Sequence, residues 1–312
     1  MKISERSITR WELHSRSIEL GRRTLVMGIV NITPDSFSDG GSFFRPENAV
    51  AHALAMLDDG ANLLDLGAES TRPGSHAGGV AGTASAPTVN AEQEQARLLP
   101  VLDGILRARP ETIISVDTYK AATARAALAI GAEIVNDVSG FLWDPEMAAV
   151  CAEAGCGVVL MHTRGRPEEW RTQAALSPDA MLATVRDGLQ TSLDAAAAAT
   201  VAPESIVLDP GYGFGKGFEG NYTLLARQAE LLALGRPLLV GLSRKSFLGK
   251  TLAPLYGGSD APIEKREAAS VAALVAAVLQ GASIVRVHSV RTAAEAARIA
   301  DAVLAAKPKT AA

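Results

Sequence analysis

Thr112-Ile113-Ile114-Ser115-Val116-Asp117-Thr118 is an apolar run that ends on a carboxylate. The same kind of break recurs at Asn31-Ile32-Thr33, Asp65-Leu66-Gly67, Asn136-Asp137, His162-Thr163, Asp209-Pro210-Gly211, Ser243-Arg244-Lys245 and Arg286-Val287-His288, eight in all. The runs are rich in Val, Ile and Leu with little alternation, as strands buried on both faces of a parallel sheet are. Strands are therefore expected near 24–30, 62–66, 112–117, 133–138, 157–161, 205–209, 237–242 and 283–288. Helical patterns follow them near 46–59, 91–108, 119–130, 145–154, 178–200, 221–234, 264–280 and 292–306. Pro46 and Pro145 suit a first helical turn, and Gly60, Gly131, Gly155 and Gly281 suit helix ends. Strict strand–helix alternation implies a parallel sheet. Eight units imply closure as a single-domain α/β protein, a (β/α)8 TIM barrel, with a doubly wound open sheet as the alternative from pattern alone. In such a barrel the strands point one way and their C-terminal ends build the active site. Eight scattered polar breaks then become one pocket.

The barrel spans 24–306. Residues 1–23 precede it and are expected to form a short hairpin or lid across the barrel bottom, and 307–312 a frayed tail. Gly74–Asn90 is a low-complexity stretch of Gly, Ala, Ser, Thr and Pro that cannot build a core, so it reads as a mobile loop over the active face. Gly249–Pro262 reads as a second such loop. The Ala195–Ala199 run reads as helix filler.

Composition excludes several classes of function. The chain has 312 residues, 48% hydrophobic and 21% charged, with a formal net charge of −4. That charge gives no reason to expect nucleic acid or an anionic membrane as partner. Anion affinity must come from local Arg and Lys. The start Met1-Lys2-Ile3-Ser4-Glu5-Arg6 has no apolar stretch behind it and does not read as a signal peptide. The apolar helix near Ala268–Leu279 is too short to span a bilayer. Cys151 and Cys156 fit no zinc or redox spacing and read as reduced structural thiols of a cytoplasmic protein.

The breaks carry the chemistry. The first opens into Asn31-Ile32-Thr33-Pro34-Asp35-Ser36-Phe37-Ser38-Asp39-Gly40-Gly41, a turn-rich segment long enough to serve as a lid. Asn31 can offer an amide oxygen to a hard cation or its water. In Asp65-Leu66-Gly67-Ala68-Glu69-Ser70-Thr71-Arg72-Pro73, Asp65 and Glu69 suit structural roles more than solvated ones, and Thr71 and Arg72 can grip an anion. Asp117 and Asp209 are either ligand-binding carboxylates or caps of the following helix. Arg286 and His288 flank Val287 on a strand and so share a face. Beside Lys245 and Arg72 they would form an anion site. His162 at a strand end suits either the pocket or a bond within the barrel. His14, His52 and His76 have no partner spacing and read as solvated.

These stretches resemble the dihydropteroate synthase family of the folate pathway. The likeness runs from about residue 24 to 306 and is most specific in Asn31–Gly41, Leu208–Lys216 and Gly241–Ser246, although Gly74–Asn90 looks longer than is usual there. It implies a cytoplasmic Mg2+-dependent transferase, expected to be a homodimer. The enzyme would join 6-hydroxymethyl-7,8-dihydropterin pyrophosphate to p-aminobenzoate, giving 7,8-dihydropteroate and pyrophosphate. By resemblance, Asp117, Asn136, Asp209 and Lys245 hold the pterin. Asn31, Thr71, Arg72, Arg286 and His288 hold the pyrophosphate, with Asn31 beside the Mg2+. Thr71, Pro73, Phe214 and Ser243 line the p-aminobenzoate side. Asp117, Lys245, Arg286 and His288 are the expected catalytic group. An aromatic amine is unprotonated near neutral pH, so catalysis is expected from positioning and from stabilising the departing pyrophosphate, a dissociative route. On this reading Arg286→Ala should impair binding of the pyrophosphate substrate far more than of a bare pterin.

Two other readings compete. A pterin-binding methyltransfer domain that serves a corrinoid protein would not need the Asn31–Gly41 loop or the Arg286/His288 pair. A pterin-binding module without turnover would bind and not react. Gly215-Lys216-Gly217-Phe218-Glu219-Gly220 formally fits G-x-G-x-x-G, but in a sixth barrel unit it reads as a turn or phosphate-proximal segment.

Overall fold

The computed structural model describes residues 6–32, 45–69 and 89–306. Eight parallel strands close a barrel: β3 (Leu25–Asn31), β4 (Leu63–Gly67), β5 (Ile114–Asp117), β6 (Ile134–Asp137), β7 (Gly157–Met161), β8 (Ile206–Asp209), β9 (Leu238–Val240) and β10 (Ala282–Val287). β10 returns to pair with β3, with Val285 opposite Val26 and Arg286 opposite Met27. A two-stranded antiparallel hairpin, β1 (Thr9–Glu12) and β2 (Ser17–Leu20), precedes it.

The strand apolar residues divide between two clusters by alternation. One position faces the surrounding helices, as Val26, Leu64, Val116, Val158, Leu208 and Val285 do. The next faces inward: Met27, Leu63, Ile134, Val159, Val207, Leu239 and Ile284 fill the barrel, and Trp11, Leu13 and Leu20 of the hairpin segment pack against them from below. The hairpin therefore closes the floor. Trp11 donates from Nε1 to the Ser205 carbonyl at 2.8 Å. Arg6 reaches Asp301 at 2.6 Å and Thr24 at 2.7 Å, tying the N-terminal segment to the last helix.

The outer ring is α1 (Pro46–Asp58), α2 (Ala91–Ala108), α3 (Ala121–Ile130), α4 (Met147–Ala154), α5 (Pro178–Ala198), α6 (Gly217–Arg227), α7 (Ser246–Thr251), α8 (Glu267–Leu279) and α9 (Val290–Ala305). Asn90 starts α2 with a reciprocal capping box to Gln93, satisfying two otherwise unpaired N–H groups. Gly155 ends α4 in the left-handed region at φ 62, where a Cβ would be strained.

Two boundaries differ from the sequence reading. The helix expected near 221–234 starts at Gly217 and gives way to a 3-10 turn over Gln228–Leu234. The stretch Gly249–Pro262, expected as a second mobile loop, is built: Phe247, Leu248 and Gly249 are buried in α7, Ala253–Tyr256 forms a 3-10 turn, and buried Ala261 donates its N–H to the Gly249 carbonyl. Small residues there serve close packing against Arg266, whose Nε donates to the Ala261 carbonyl. Both cysteines are buried and unbridged. Among the described residues no helix is long and apolar enough to cross a membrane. The expected loops at 33–44 and most of 74–90, and the tail 307–312, lie outside the described residues.

Candidate active site

Two residues beyond the inward apolar layer, the barrel lining turns polar. Leu63 is followed by Asp65, Ile134 by Asn136, Val207 by Asp209 and Ile284 by Arg286. One period of the pleat, about 7 Å along a strand, separates floor from mouth. Because each pair shares a face, the sequence that builds the core also aims the polar groups into the same opening.

Arg286 joins this layer together. Its Nε donates to Asp65 Oδ2 at 2.5 Å and its Nη2 to Asp117 Oδ2 at 2.7 Å. Asp65 is fully buried and also accepts from Ser115 Oγ at 2.6 Å and Asn136 Nδ2 at 3.0 Å. Four strand ends thus meet through one carboxylate. Burial opposes the Arg286 charge, and Asp65 and Asp117 more than offset it, so its pKa rises further above the ordinary range. Burial pushes the Asp117 carboxyl up to about 7, against the pull of Arg286 and with Asp65, Glu94 and Asp137 adding to the rise.

Asp209 lies on the neighbouring side, buried, with Oδ1 accepting the Gly211 N–H at 2.7 Å. Burial raises its pKa, while that hydrogen bond and the charges of Lys245, Lys216 and Arg286 oppose the rise. Lys245 holds its ammonium 4.1 Å from the Phe214 ring centroid, and Phe214 stacks edge-on against Trp170 at 4.9 Å. His288 follows β10 and is half-buried; its Nδ1 shares a 3.0 Å hydrogen bond with Ser243 Oγ. Asn31, half-buried, closes β3 opposite Gly67. The structure therefore brings Asp117, Asn136, Asp209, Lys245 and Arg286 around the mouth and couples Ser243 to His288. Thr71, Arg72 and Pro73 lie outside the described residues.

Several participants were not singled out from sequence. Lys216 is buried and donates from Nζ to the His162 carbonyl at 2.7 Å beneath the Asp209 turn. Its pKa falls well below the ordinary lysine value because of burial, with Asp209 opposing. Asp137 accepts from Ser139 N and Phe141 N and fixes the turn beyond β6. Glu69 pairs with Lys120 at 2.5 Å, and Lys120 also faces Glu94 at 3.3 Å, which settles Glu69 as structural. His162 is resolved the same way. A Cβ added at Gly188 of α5 would lie 2.3 Å from its Cδ2, so the ring points outward against that helix rather than into the mouth. Its Nδ1 has no hydrogen-bond partner among the described residues, and burial drives its pKa well below the ordinary imidazole value. His14 hydrogen-bonds the Ala154 carbonyl at 2.8 Å while remaining exposed, and His52 is exposed as well.

A profile of the pterin binding enzyme family matches residues 27–288. The dihydropteroate synthase of Synechocystis sp. is 42% identical over 284 residues, covering 91% of each chain. That of Escherichia coli is 42% identical over 282 residues, 90% of this chain and 92% of its own. The chain belongs to the dihydropteroate synthase family. Among solved structures, the Xanthomonas albilineans enzyme with 4-aminobenzoic acid superposes with a TM-score of 0.82 at 37% identity, covering 97% of this chain and 100% of that one. The same enzyme in complex with 7,8-dihydropteroate gives a TM-score of 0.79 at 36% identity, covering 96% of this chain and 100% of that one.

Proposed function

We infer that this chain is a transferase of folate biosynthesis. It condenses 6-hydroxymethyl-7,8-dihydropterin pyrophosphate with p-aminobenzoate to give 7,8-dihydropteroate and pyrophosphate. The single observation that carries the reading is the polar ring of Asp117, Asn136, Asp209 and Lys245 at four strand ends, in a chain of this family. A pterin edge presents several N–H donors beside a carbonyl. Two carboxylates and an amide suit the donors, and the Lys245 ammonium suits the carbonyl and ring nitrogen.

The C–O bond to pyrophosphate breaks ahead of attack by the amine nitrogen. Asp117 and Asp209 hold the ring while positive character develops on its methylene, and Lys245, Arg286 and His288 face the departing anion, with Arg72 assigned to it by family resemblance. Phe214 and Ser243 form the p-aminobenzoate side, to which family resemblance also assigns Thr71 and Pro73. The aniline needs no strong base, so positioning and charge stabilisation carry the rate. Arg286 has a further duty here. Its Nε and Nη2 are engaged by Asp65 and Asp117, so it orients the Asp117 carboxylate that receives the pterin as well as facing the anion.

Mg2+ suits this donor set as a substrate-borne ion. No group of three or more His, Cys, Asp or Glu among the described residues could cage a metal, whereas Mg2+ is commonly held by substrate phosphates with one or two protein oxygens. Asn31 at the end of β3 would supply such an oxygen, and the ion would neutralise charge developing on the pyrophosphate. A homodimer working in the cytoplasm completes the proposal.

The test is pyrophosphate release by the purified protein given Mg2+ and the pterin pyrophosphate, with and without p-aminobenzoate, the product being followed by mass. Release coupled to dihydropteroate supports the reading. Tight pterin binding with neither release nor adduct would remove it and leave a binding or methyltransfer role.

A further inference from the structure

Between Ser243 and Lys245 stands a residue with an unexpected backbone. Arg244 has φ 59, in the left-handed region, where non-glycine residues are uncommon and tend to mark functional constraint. Lys245 N–H donates to the Leu242 carbonyl at 3.4 Å, so Arg244 is the third residue of a tight turn. Glycine takes that position without strain. If the turn alone mattered, an arginine would be the worse choice.

The Arg244 contacts show what the side chain adds. Its N–H donates to Ser270 Oγ at 2.9 Å, and its carbonyl accepts from Arg266 Nη1 at 3.2 Å. Both partners belong to the start of α8. Its Nη2 donates to Ser289 Oγ at 3.0 Å, on the residue that follows His288. Its Nε faces Glu267 Oε2 at 3.7 Å, and that oxygen is buried with no hydrogen-bond partner among the described residues. One side chain thus spans the end of the β9 segment, the turn after β10 and the first turn of α8. On one side of it Ser243 holds His288; on the other Lys245 lies over Phe214 beside Asp209.

We propose that Arg244 is a positioning residue that sets the pterin-side Lys245 and the anion-side His288 in one fixed relation. The proposal rests on the assignment of those two residues to the two ends of the pterin pyrophosphate. It makes a requirement that a structural filler does not: loosening Arg244 must weaken both ends together, because both hang from the same turn.

The experiment uses Arg244→Gly, which relieves the backbone and removes the whole side chain, while the backbone bonds to Ser270 and Arg266 stay in place to keep the turn. Affinities for a bare pterin and for inorganic pyrophosphate with Mg2+ are measured by calorimetry, alongside turnover and the melting temperature. The expected result is a melting temperature close to the parent, weaker binding of both ligands, and kcat/KM down by about 10- to 100-fold, the scale of a misplaced catalytic group. In a double-mutant cycle, Ser289→Ala should add little to Arg244→Gly, since both break the same link. Parental affinities and turnover in Arg244→Gly, or fully additive losses in the cycle, would overturn the proposal. Loss of pyrophosphate affinity alone would also overturn it, by making Arg244 a direct anion contact. A parental protein that binds both ligands without turning over would sink the synthase reading and leave the positioning proposal to the binding results.

Discussion

The two ends of this barrel are built from the same eight strands and differ by one pleat. At the floor, Met27, Leu63, Ile134, Val159, Val207 and Ile284 meet Trp11, Leu13 and Leu20 in a wholly apolar cluster. At the mouth, Asp65, Asn136, Asp209 and Arg286 occupy the next inward positions. The floor stabilises by removing apolar surface from water. The mouth buries charges that are held by one another and by a few neutral donors, Ser115, Asn136 and the Gly211 N–H, a poor route to stability and a good one to a fixed, low-dielectric binding surface. The division shows that stability and chemistry are stacked along each strand rather than given to separate strands.

The contrast can be broken hardest at Arg286. Arg286→Ala strands the buried Asp65 carboxylate, so a loss of about 3–5 kcal/mol in unfolding free energy is expected together with a drop of about 10²–10³ in kcat/KM. The sequence alone suggested a loss concentrated on the pyrophosphate substrate. With Nη2 holding Asp117, binding of a bare pterin should fall too, and equal titrations of the two ligands check this. Trp11→Ala should cost a similar amount in stability, about 3–5 kcal/mol from a buried aromatic, while kcat per folded molecule stays at the parental value. A change in kcat would mean that floor and mouth are not separable.

A pH profile sharpens the comparison. In the proposed pterin-binding role Asp117 must be ionised to accept the pterin N–H groups, and burial pushes its carboxyl up to about 7. It is therefore protonated below that value, and pterin affinity should rise by about tenfold between pH 6 and 8, then level off. Asp117→Asn should flatten this profile, and an unchanged slope in that variant would assign the titration elsewhere. The smallest effect is expected at the floor's fastening. Asp301→Ala removes the carboxylate that holds Arg6 and the Thr24 N–H, and should cost about 1–3 kcal/mol with no change in substrate affinity.

The fold was legible because buried parallel strands have a plain signature and their polar ends stand out against it. Ile134-Val135-Asn136-Asp137 shows both parts at once. The strand-end residues Asp117, Asn136, Asp209 and Arg286, which the structure brings together at the mouth, stood out for the same reason, while their ligand roles came from the family resemblance. Three things were not legible. The partner of Arg286 could not be read, since Asp65 lies 221 positions away and meets it only when β10 closes on β3 and β4. The outward turn of His162 depends on the absence of a side chain at Gly188. The ordered course of Gly249–Pro262 depends on Arg266 bonding a carbonyl within it, although the small residues there read as a loop. Each is a long-range or backbone contact that leaves no local pattern.

The bond from Arg6 to Asp301 has a consequence for how the molecule comes into being. The hairpin precedes every barrel strand in the chain, yet the floor it seals needs Ile284 from the last strand, and its fastening needs the last helix. Closure joins residues 295 positions apart, so it comes late, once the last strand and helix have been made. Until then the inward faces of a half-wound barrel stay wet. The nascent barrel is thus most exposed to aggregation while only its last strand and helix are missing, and a chain truncated before the last strand should be cleared rather than function at reduced rate.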